Sequence, residues 1–272
     1  MRAAGSLLLV LAAQLAGAQE SVLLRLNPHV GDTLHTRLEQ MMDVSVSTPG
    51  SALAQAKPLV TTLTLHSRTI VRSVQQWSAS VMTIVDSATM TSTDAHAAAQ
   101  TAAAERALEG QQWVLQLGSD GTVESARDKR GALVSRDMAE ALSAMPAVFP
   151  RRAMAVGQTW TREMPLPSGG ALGARGSGHV RAVFKLDSLS KGGTNAFISM
   201  RGDILPDSTQ QGVALSGSIT GTMELDRARG WMTESIFQIV LTSMIAPPSA
   251  SGFAPMKFVT HVTQRLRTLD RR

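Results

Sequence analysis

The sequence contains no cysteine and no tyrosine, and only 4% of its 272 residues are aromatic. Without cysteine the chain has no thiol nucleophile, disulfide framework, zinc knuckle or iron–sulfur ligand set. The net charge is a modest +5, and the interleaved aromatic residues that stack on nucleic-acid bases are missing. A hydrophobic fraction of 43% argues against a disordered chain. We therefore expect a folded protein with no nucleic-acid partner.

The N-terminus has the pattern of a secretory signal peptide. Arg2 supplies a positive charge, a short apolar run follows, and the small residues Ala16 and Ala18 form a cleavage site. The apolar run is shorter than the roughly 20 residues that a membrane-spanning helix needs. We predict that residues 1–18 are removed on export, which leaves no transmembrane segment. The remaining chain is then periplasmic or extracellular.

Most of the remaining chain alternates between apolar and polar side chains, as β-strands do. From Leu34 to Val46 the apolar residues favour even positions, and the segment from Val213 to Leu225 has its apolar residues at odd positions. The same period of two recurs in residues 59–73, 77–90, 174–187, 231–245 and 256–269. Such long antiparallel strands twist, so their sheet must curl. The sequence predicts a mainly β, half-barrel-like curled antiparallel sheet with one or two short helices packed on it.

Two segments have helical character instead. Asp94–Glu109 is rich in alanine, with Asp94 as the predicted N-cap. Leu133–Met145 carries an apolar stripe at helical spacing, and the proline that follows ends it. We predict one β-rich domain over residues 19–272. It contains two similar halves, about 19–125 and 146–272, joined by a helical segment.

Residues that carry chemistry do not form a recognisable catalytic or metal-binding pattern. The six histidines lack metal-ligand spacing, although His66 and His261 lie in central-looking strands and could meet across the sheet. The G-x-S-x-G nucleophile motif is absent, and the acidic residues show no pairing typical of glycosidases. We predict that the protein is not an enzyme and has no catalytic, cofactor or metal site.

The strand from Val213 to Leu225 is the predicted binding surface. Gly217 and Gly221 lie on its apolar face and remove side chains where a sheet bends or a ligand approaches. If the face is open, it forms an apolar groove, which on a secreted protein usually marks a binding site. If the helix predicted at Leu133–Met145 fills it, the same residues are core. The predicted ligand-binding residues are Val213, Leu215, Gly217, Ile219, Gly221, Met223 and Leu225.

A five-residue pattern occurs twice, as Val30-Gly31-Asp32-Thr33-Leu34 and as Val156-Gly157-Gln158-Thr159-Trp160. The surrounding segments, LLRLNPHVGDTLHTRLEQ and FPRRAMAVGQTWTREMPLP, resemble uncharacterised secreted bacterial proteins of a domain-of-unknown-function family. The resemblance implies an architecture similar to the lipoprotein-carrier half-barrels of the bacterial envelope, with a curled sheet around an apolar concavity. It implies no catalytic residues.

These observations lead to two functional hypotheses. The first is a non-enzymatic secreted or periplasmic protein that binds a lipid or other apolar ligand on its curled sheet. The second is a structural or protein-interaction module of the cell envelope, whose partner is an envelope protein.

Overall fold

The computed structural model describes residues 21–47, 57–132, 148–165, 178–206, 213–245 and 255–269. Within these ranges the chain forms β1 (Thr33–Ser47), β2 (Leu59–Val74), β3 (Ser78–Ser92), β4 (Gln112–Gly118), β5 (Val123–Asp128), β6 (Thr159–Pro165), β7 (Gly178–Leu189), β8 (Asn195–Pro206), β9 (Val213–Asp226), β10 (Trp231–Ile245) and β11 (Met256–Leu269). A 3₁₀ turn (Ala95–Ala97) and a helix, α1 (Ala98–Leu108), connect β3 to β4.

All of these strands belong to one sheet with the order β5-β4-β3-β2-β1-β11-β10-β9-β8-β7-β6. Each neighbouring pair is antiparallel, and the pairing of β1 with β11 joins the two ends of the chain in the middle of the sheet. Strands β5 and β6 each have one neighbour, so the sheet is open. The prediction of a mainly β fold built on a long antiparallel sheet is confirmed.

The two edges of the sheet approach each other at one end. A flat sheet of eleven strands would hold β5 and β6 about 48 Å apart, because neighbouring strands are about 4.8 Å apart. However, the Phe149 backbone N–H donates to the Asp120 carbonyl in the β4–β5 turn at 3.0 Å. The Trp160 indole N–H of β6 donates to the Val148 carbonyl at 2.8 Å. Two adjacent residues therefore bridge the edges, and the sheet must curl.

The core lies on the concave side of this curl, over the C-terminal half of the sheet. Inward-facing residues of β6 to β10 pack against Val22 and Leu24 of the N-terminal segment, and against Phe149 and Met154 of the segment before β6. The Phe184 side chain is fully buried and stacks on the ring of Trp160, with a centroid distance of 5.5 Å. These two segments therefore cover the inner face of this half.

Helix α1 protects part of an exposed strand edge. Strand β4 pairs with β3 only as far as Ile84, so the remainder of β3 lacks a strand neighbour on that side. The Glu105 carboxylate accepts the backbone N–H of Met90 at 2.6 Å, and the Glu109 carboxylate accepts that of Ala88 at 3.4 Å. Covering a free edge in this way blocks pairing with other chains. The helix predicted at Asp94–Glu109 is confirmed, with the Asp94 side chain accepting the His96 N–H at its start.

The second predicted helix, Leu133–Met145, lies outside the described residues, as does the predicted signal peptide at residues 1–18. No helix in the described part of the chain combines the length and hydropathy required to span a membrane.

The repeated five-residue pattern forms the same turn twice, once before β1 and once before β6. Gly31 and Gly157 have φ angles of +90° and +87°, a region that glycine enters at little cost. The side-chain oxygens of Asp32 and Gln158 each accept the backbone N–H three residues earlier, at 2.8 and 3.1 Å. An aspartate and a glutamine therefore fill the same position because each offers an oxygen acceptor to the turn.

Candidate functional site on the concave face

The predicted ligand-binding residues of β9 lie on the concave face but mostly within the core. Leu215, Met223 and Leu225 are 3%, 3% and 0% exposed, and they belong to the cluster that the N-terminal segment covers. Ile219 is partly buried against the same cluster. Val213 pairs with Ile245 at the end of β10. A ligand therefore reaches Leu215, Met223 and Leu225 only if the covering segments move.

Neighbouring side chains and backbone occupy the space that the two glycines of β9 leave. A Cβ atom at Gly221 would overlap the Phe237 ring of β10, and one at Gly217 would overlap the Val240 carbonyl and lie 3.2 Å from Ile204. Both glycines thus permit close packing between β8, β9 and β10. Phe237 leans over Gly221 and consequently away from β11 on its other side.

Solvent reaches the inner face farther along the sheet, at β1, β2 and β11. The inward-facing residues of β1 and their nearest neighbours on β2 and β11 are mostly half-buried in the described structure, with Thr69, Thr260 and Val262 as buried exceptions. Their counterparts on β7 and β8 are buried, most of them at 0–6% exposure. Strand pairing places the inward-facing residues of β2, β1 and β11 side by side, as in the rows Leu65-Leu38-Leu266 and Leu63-Gln40-Gln264. We call this surface the concave strip, and its residues are Leu38, Gln40, Met42, Val44, Leu63, Leu65, Gln264 and Leu266.

The two faces of the sheet differ sharply in charge. On β1, β2, β10 and β11 the inward-facing positions within the registers hold no charged side chain. Their outward-facing positions hold the charges, and the Glu234 carboxylate accepts from Arg265 at 2.6 Å and from Arg267 at 2.9 Å. Arg37 lies directly opposite Arg267 and forms an ion pair with Glu39. The concave strip therefore carries no charge, because the charged side chains of these strands lie on the opposite face of the sheet.

The N-terminal segment crosses the end of the sheet that carries the β4–β5 and β9–β10 turns, which we call the turn end. Leu26 donates its N–H to the Ser119 carbonyl at 2.8 Å, and Asn27 donates to the Gly230 carbonyl at 3.1 Å. These bonds tie the segment to the β4–β5 and β9–β10 turns. A cavity of about 320 Å³ lies between the segment and the exposed Trp77, and a second of about 580 Å³ lies beside Trp231. The end of β1 at Ser47 and the end of β10 at Ile245 lie at the opposite end of the sheet.

Perturbed acidic groups lie away from the concave strip. Burial of Asp120 by itself raises the pKa of the carboxyl, but hydrogen bonds from Thr122 and the nearby Arg151 guanidinium outweigh this effect and hold the pKa below its ordinary value. Burial likewise acts to raise the pKa of Asp187, and hydrogen bonds from Ser199 and Lys185 lower it on balance. Both carboxylates stabilise turns and the outer face.

The ionisable residues of the described chain do not converge on a metal site. No group of three or more His, Asp or Glu residues there is arranged to hold a metal ion. The His66 ring contacts the Ser87 hydroxyl, and in the strand register His66 lies opposite Arg37 of β1. His261 lies opposite Asp43, six residues farther along β1. The two histidines that could have met across the sheet are thus about 20 Å apart along the strand direction.

Comparisons with solved structures find matches that cover most of this chain at low sequence identity. A structure of lipovitellin, which describes lipid–protein interactions, matches 90% of this chain at 7% identity with a TM-score of 0.50, and the match spans 26% of that chain. DynF from the dynemicin pathway of Micromonospora chersina matches 94% of this chain and 88% of its own, at 10% identity and a TM-score of 0.27. The outer membrane protein OprG from Pseudomonas aeruginosa matches 90% of this chain and 99% of its own, at 8% identity and a TM-score of 0.22.

No family model and no curated protein matches the sequence. At 7% identity the lipovitellin match shows a likeness of fold alone, and the chain spans about a quarter of the lipovitellin chain. The comparisons therefore support a likeness of fold to part of the lipovitellin chain.

Proposed function

We propose that the protein is a non-enzymatic, exported lipid-binding protein of the cell envelope that holds acyl chains on the concave strip. The observation that carries this proposal is the uncharged inner face of four adjacent strands, on which the residues of the concave strip are half-buried, opposite a charged outer face. Contiguous exposed apolar surface is uncommon on soluble proteins and usually marks a binding site.

The shape of the concave strip favours a long apolar chain over a compact ligand. From Leu38 to Val44 the strip runs about 20 Å along β1, because each strand residue advances about 3.4 Å. It is three strands wide, since β2 and β11 flank β1 on either side. Covering its half-exposed leucines would contribute roughly 25 cal/mol for each Å² of apolar surface removed from water.

Two further observations support a lipid ligand. The lipovitellin structure with a similar fold is described for its lipid–protein interactions. The N-terminal pattern of the sequence predicts export, which would bring the protein to a membrane surface in the periplasm or outside the cell. The likeness to lipoprotein-carrier half-barrels remains a prediction.

The proposal is tested by purifying the protein from its native envelope and extracting any lipid that remains bound to it. We expect co-purifying lipid by mass spectrometry in the native protein and in Met41→Glu, because Met41 is exposed on the outer face. We expect loss of that lipid in Leu38→Glu, which places a charge on the concave strip. Absence of lipid from the native protein, together with no response to an apolar fluorescent probe, would reject the proposal.

A protein-interaction role is the second candidate, and the free edges of β5 and β6 favour it. Each strand pairs on one side in the described structure, so the other side presents backbone N–H and C=O groups to which a partner strand can bind. Hydrogen–deuterium exchange of the backbone amides, measured with the protein in envelope extract, distinguishes the protein-interaction role from the lipid-binding role. A partner strand would protect the amides of β6, whereas a lipid on the concave strip would leave them unchanged.

A further inference from the structure

We infer that Gln40 and Gln264 form a polar station within the concave strip that selects lipids with a neutral hydrogen-bonding group, such as an ester or amide, beside their acyl chains. The inference rests on the proposed function and specifies the ligand class of the same site. It follows from the placement of the two amides, from their lack of protein partners and from the absence of charge around them.

Strand pairing places the two glutamines next to each other. Gln40 of β1 lies directly opposite Gln264 of β11, so their Cβ atoms are about 4.5–5.5 Å apart. The rows on either side are apolar, with Leu38 opposite Leu266 and Met42 opposite Val262. The pair is therefore a polar patch that hydrocarbon side chains flank on either side along β1 and β11.

Two pairs of hydroxyl groups on the inner face form hydrogen bonds with each other, but the two glutamines form none with the protein in the described structure. The Thr36 and Ser67 hydroxyls are 2.7 Å apart, and those of Thr69 and Thr83 are 3.1 Å apart. Within the described structure the side-chain amides of Gln40 and Gln264 form no hydrogen bond with the protein. Both side chains are half-buried and remain accessible from the concavity.

Neighbouring side chains leave the pair open to a ligand. Phe237 is the β10 residue beside Gln264, and its ring occupies the space above Gly221 on the far side of β10. On the other flank Leu63 pairs with Gln40 and offers no polar atom from its side chain. A ligand lying along β1 would thus meet both amides directly.

The chemistry of the amides defines what they can recognise. An apolar chain laid over them would remove their water without replacing its hydrogen bonds, which is unfavourable for a buried polar group. An ester or amide group accepts hydrogen bonds from the side-chain NH₂ groups, and an amide or hydroxyl also donates to their oxygens. The inward-facing positions of β1, β2, β10 and β11 hold no cation that could neutralise a phosphate or carboxylate. The station therefore favours a neutral group.

The position of the station sets its depth in the concavity. Gln40 is the central residue of β1, seven residues from Thr33 and seven from Ser47, or about 24 Å from either end. The N-terminal segment crosses the turn end of the sheet near Asn27. We expect the acyl chains to extend from the station toward the opposite end, along Met42 and Val44.

Titration of delipidated protein with 1,2-dioleoylglycerol and with octadecane tests this inference. The first probe carries ester carbonyls and a hydroxyl, whereas the second is hydrocarbon alone. The double variant Gln40→Leu/Gln264→Leu should weaken dioleoylglycerol binding about tenfold, as expected for two lost hydrogen bonds, and should leave octadecane binding unchanged or stronger. Gln238→Leu, the same change on the outer face, is the matched control and should alter neither affinity.

The outcomes separate the inference from the proposed function. If the native protein binds both probes and the double variant binds dioleoylglycerol as well as before, the glutamine station is wrong and the lipid-binding proposal stands. If the native protein binds octadecane but not dioleoylglycerol, the station is likewise wrong. If it binds neither probe, the proposed function itself fails. Should the double variant not fold, Gln264→Met alone provides the same comparison, with a smaller expected loss of about threefold.

Discussion

Replacing Leu225 and Leu38 by alanine tests whether the concave face is core in one half and binding surface in the other. Leu225 is fully buried, so Leu225→Ala removes methylene groups and leaves a cavity, at an expected cost of about 2–5 kcal/mol. Leu38 is half-exposed, and its replacement removes only part of that buried area and encloses no cavity. We expect Leu38→Ala to cost roughly 1 kcal/mol.

Thermal and urea unfolding measure the difference in stability between these two variants. For a chain of this size, each kcal/mol shifts the Tm by about 2–4 °C, so the two variants should differ by several degrees. Leu38→Ala should also weaken binding of an apolar probe by about tenfold, and Leu225→Ala should bind normally once folded. Equal losses of stability in both variants would refute this division of the face, because Leu38 would then be an ordinary core residue.

Three further changes test individual parts of the structure. Gly221→Val should destabilise the protein by about 1–3 kcal/mol in urea unfolding, because its side chain would overlap the Phe237 ring, and an unchanged midpoint would contradict that packing. Glu234→Gln should cost about 0.5–1 kcal/mol at low salt by leaving two arginines without their shared carboxylate, and the loss should shrink in high salt. Asp120→Asn should lose stability at pH 7, because the lowered pKa of the native carboxyl favours folding above about pH 4. That difference should disappear as the pH falls through the lowered pKa, and a constant difference down to pH 2 would contradict it.

The strand pattern could be predicted from the sequence because each long strand separates polar from apolar side chains. The alternation between Leu34 and Val46 assigns their inward and outward positions correctly, and the register of β1 with β2 and β11 agrees with it. The repeated turn was also visible, through Gly31 and Gly157. Both patterns are local, because the alternation follows from the geometry of a single strand and the turn follows from the backbone conformation of a single glycine.

The location of the exposed surface could not be predicted, because it depends on contacts that are distant in sequence. The apolar face of β9 has the same pattern as that of β1, but Val22 and Phe149 cover the β9 side of the sheet and leave the β1 side half-exposed. Neither segment has a strand or helix pattern of its own. Likewise, the Gln40–Gln264 pair exists only because the first and last strands are neighbours.

Fluorescence from a single labelled cysteine tests most directly whether lipid binds the concave strip. The chain lacks cysteine, so Leu38→Cys and Met41→Cys each carry one environment-sensitive dye, on opposite faces of the same strand. On addition of lipid extracted from the native envelope, we expect a blue-shifted emission at residue 38 and no change at residue 41. An unchanged emission at residue 38, or the same shift at both residues, would contradict lipid binding on this face.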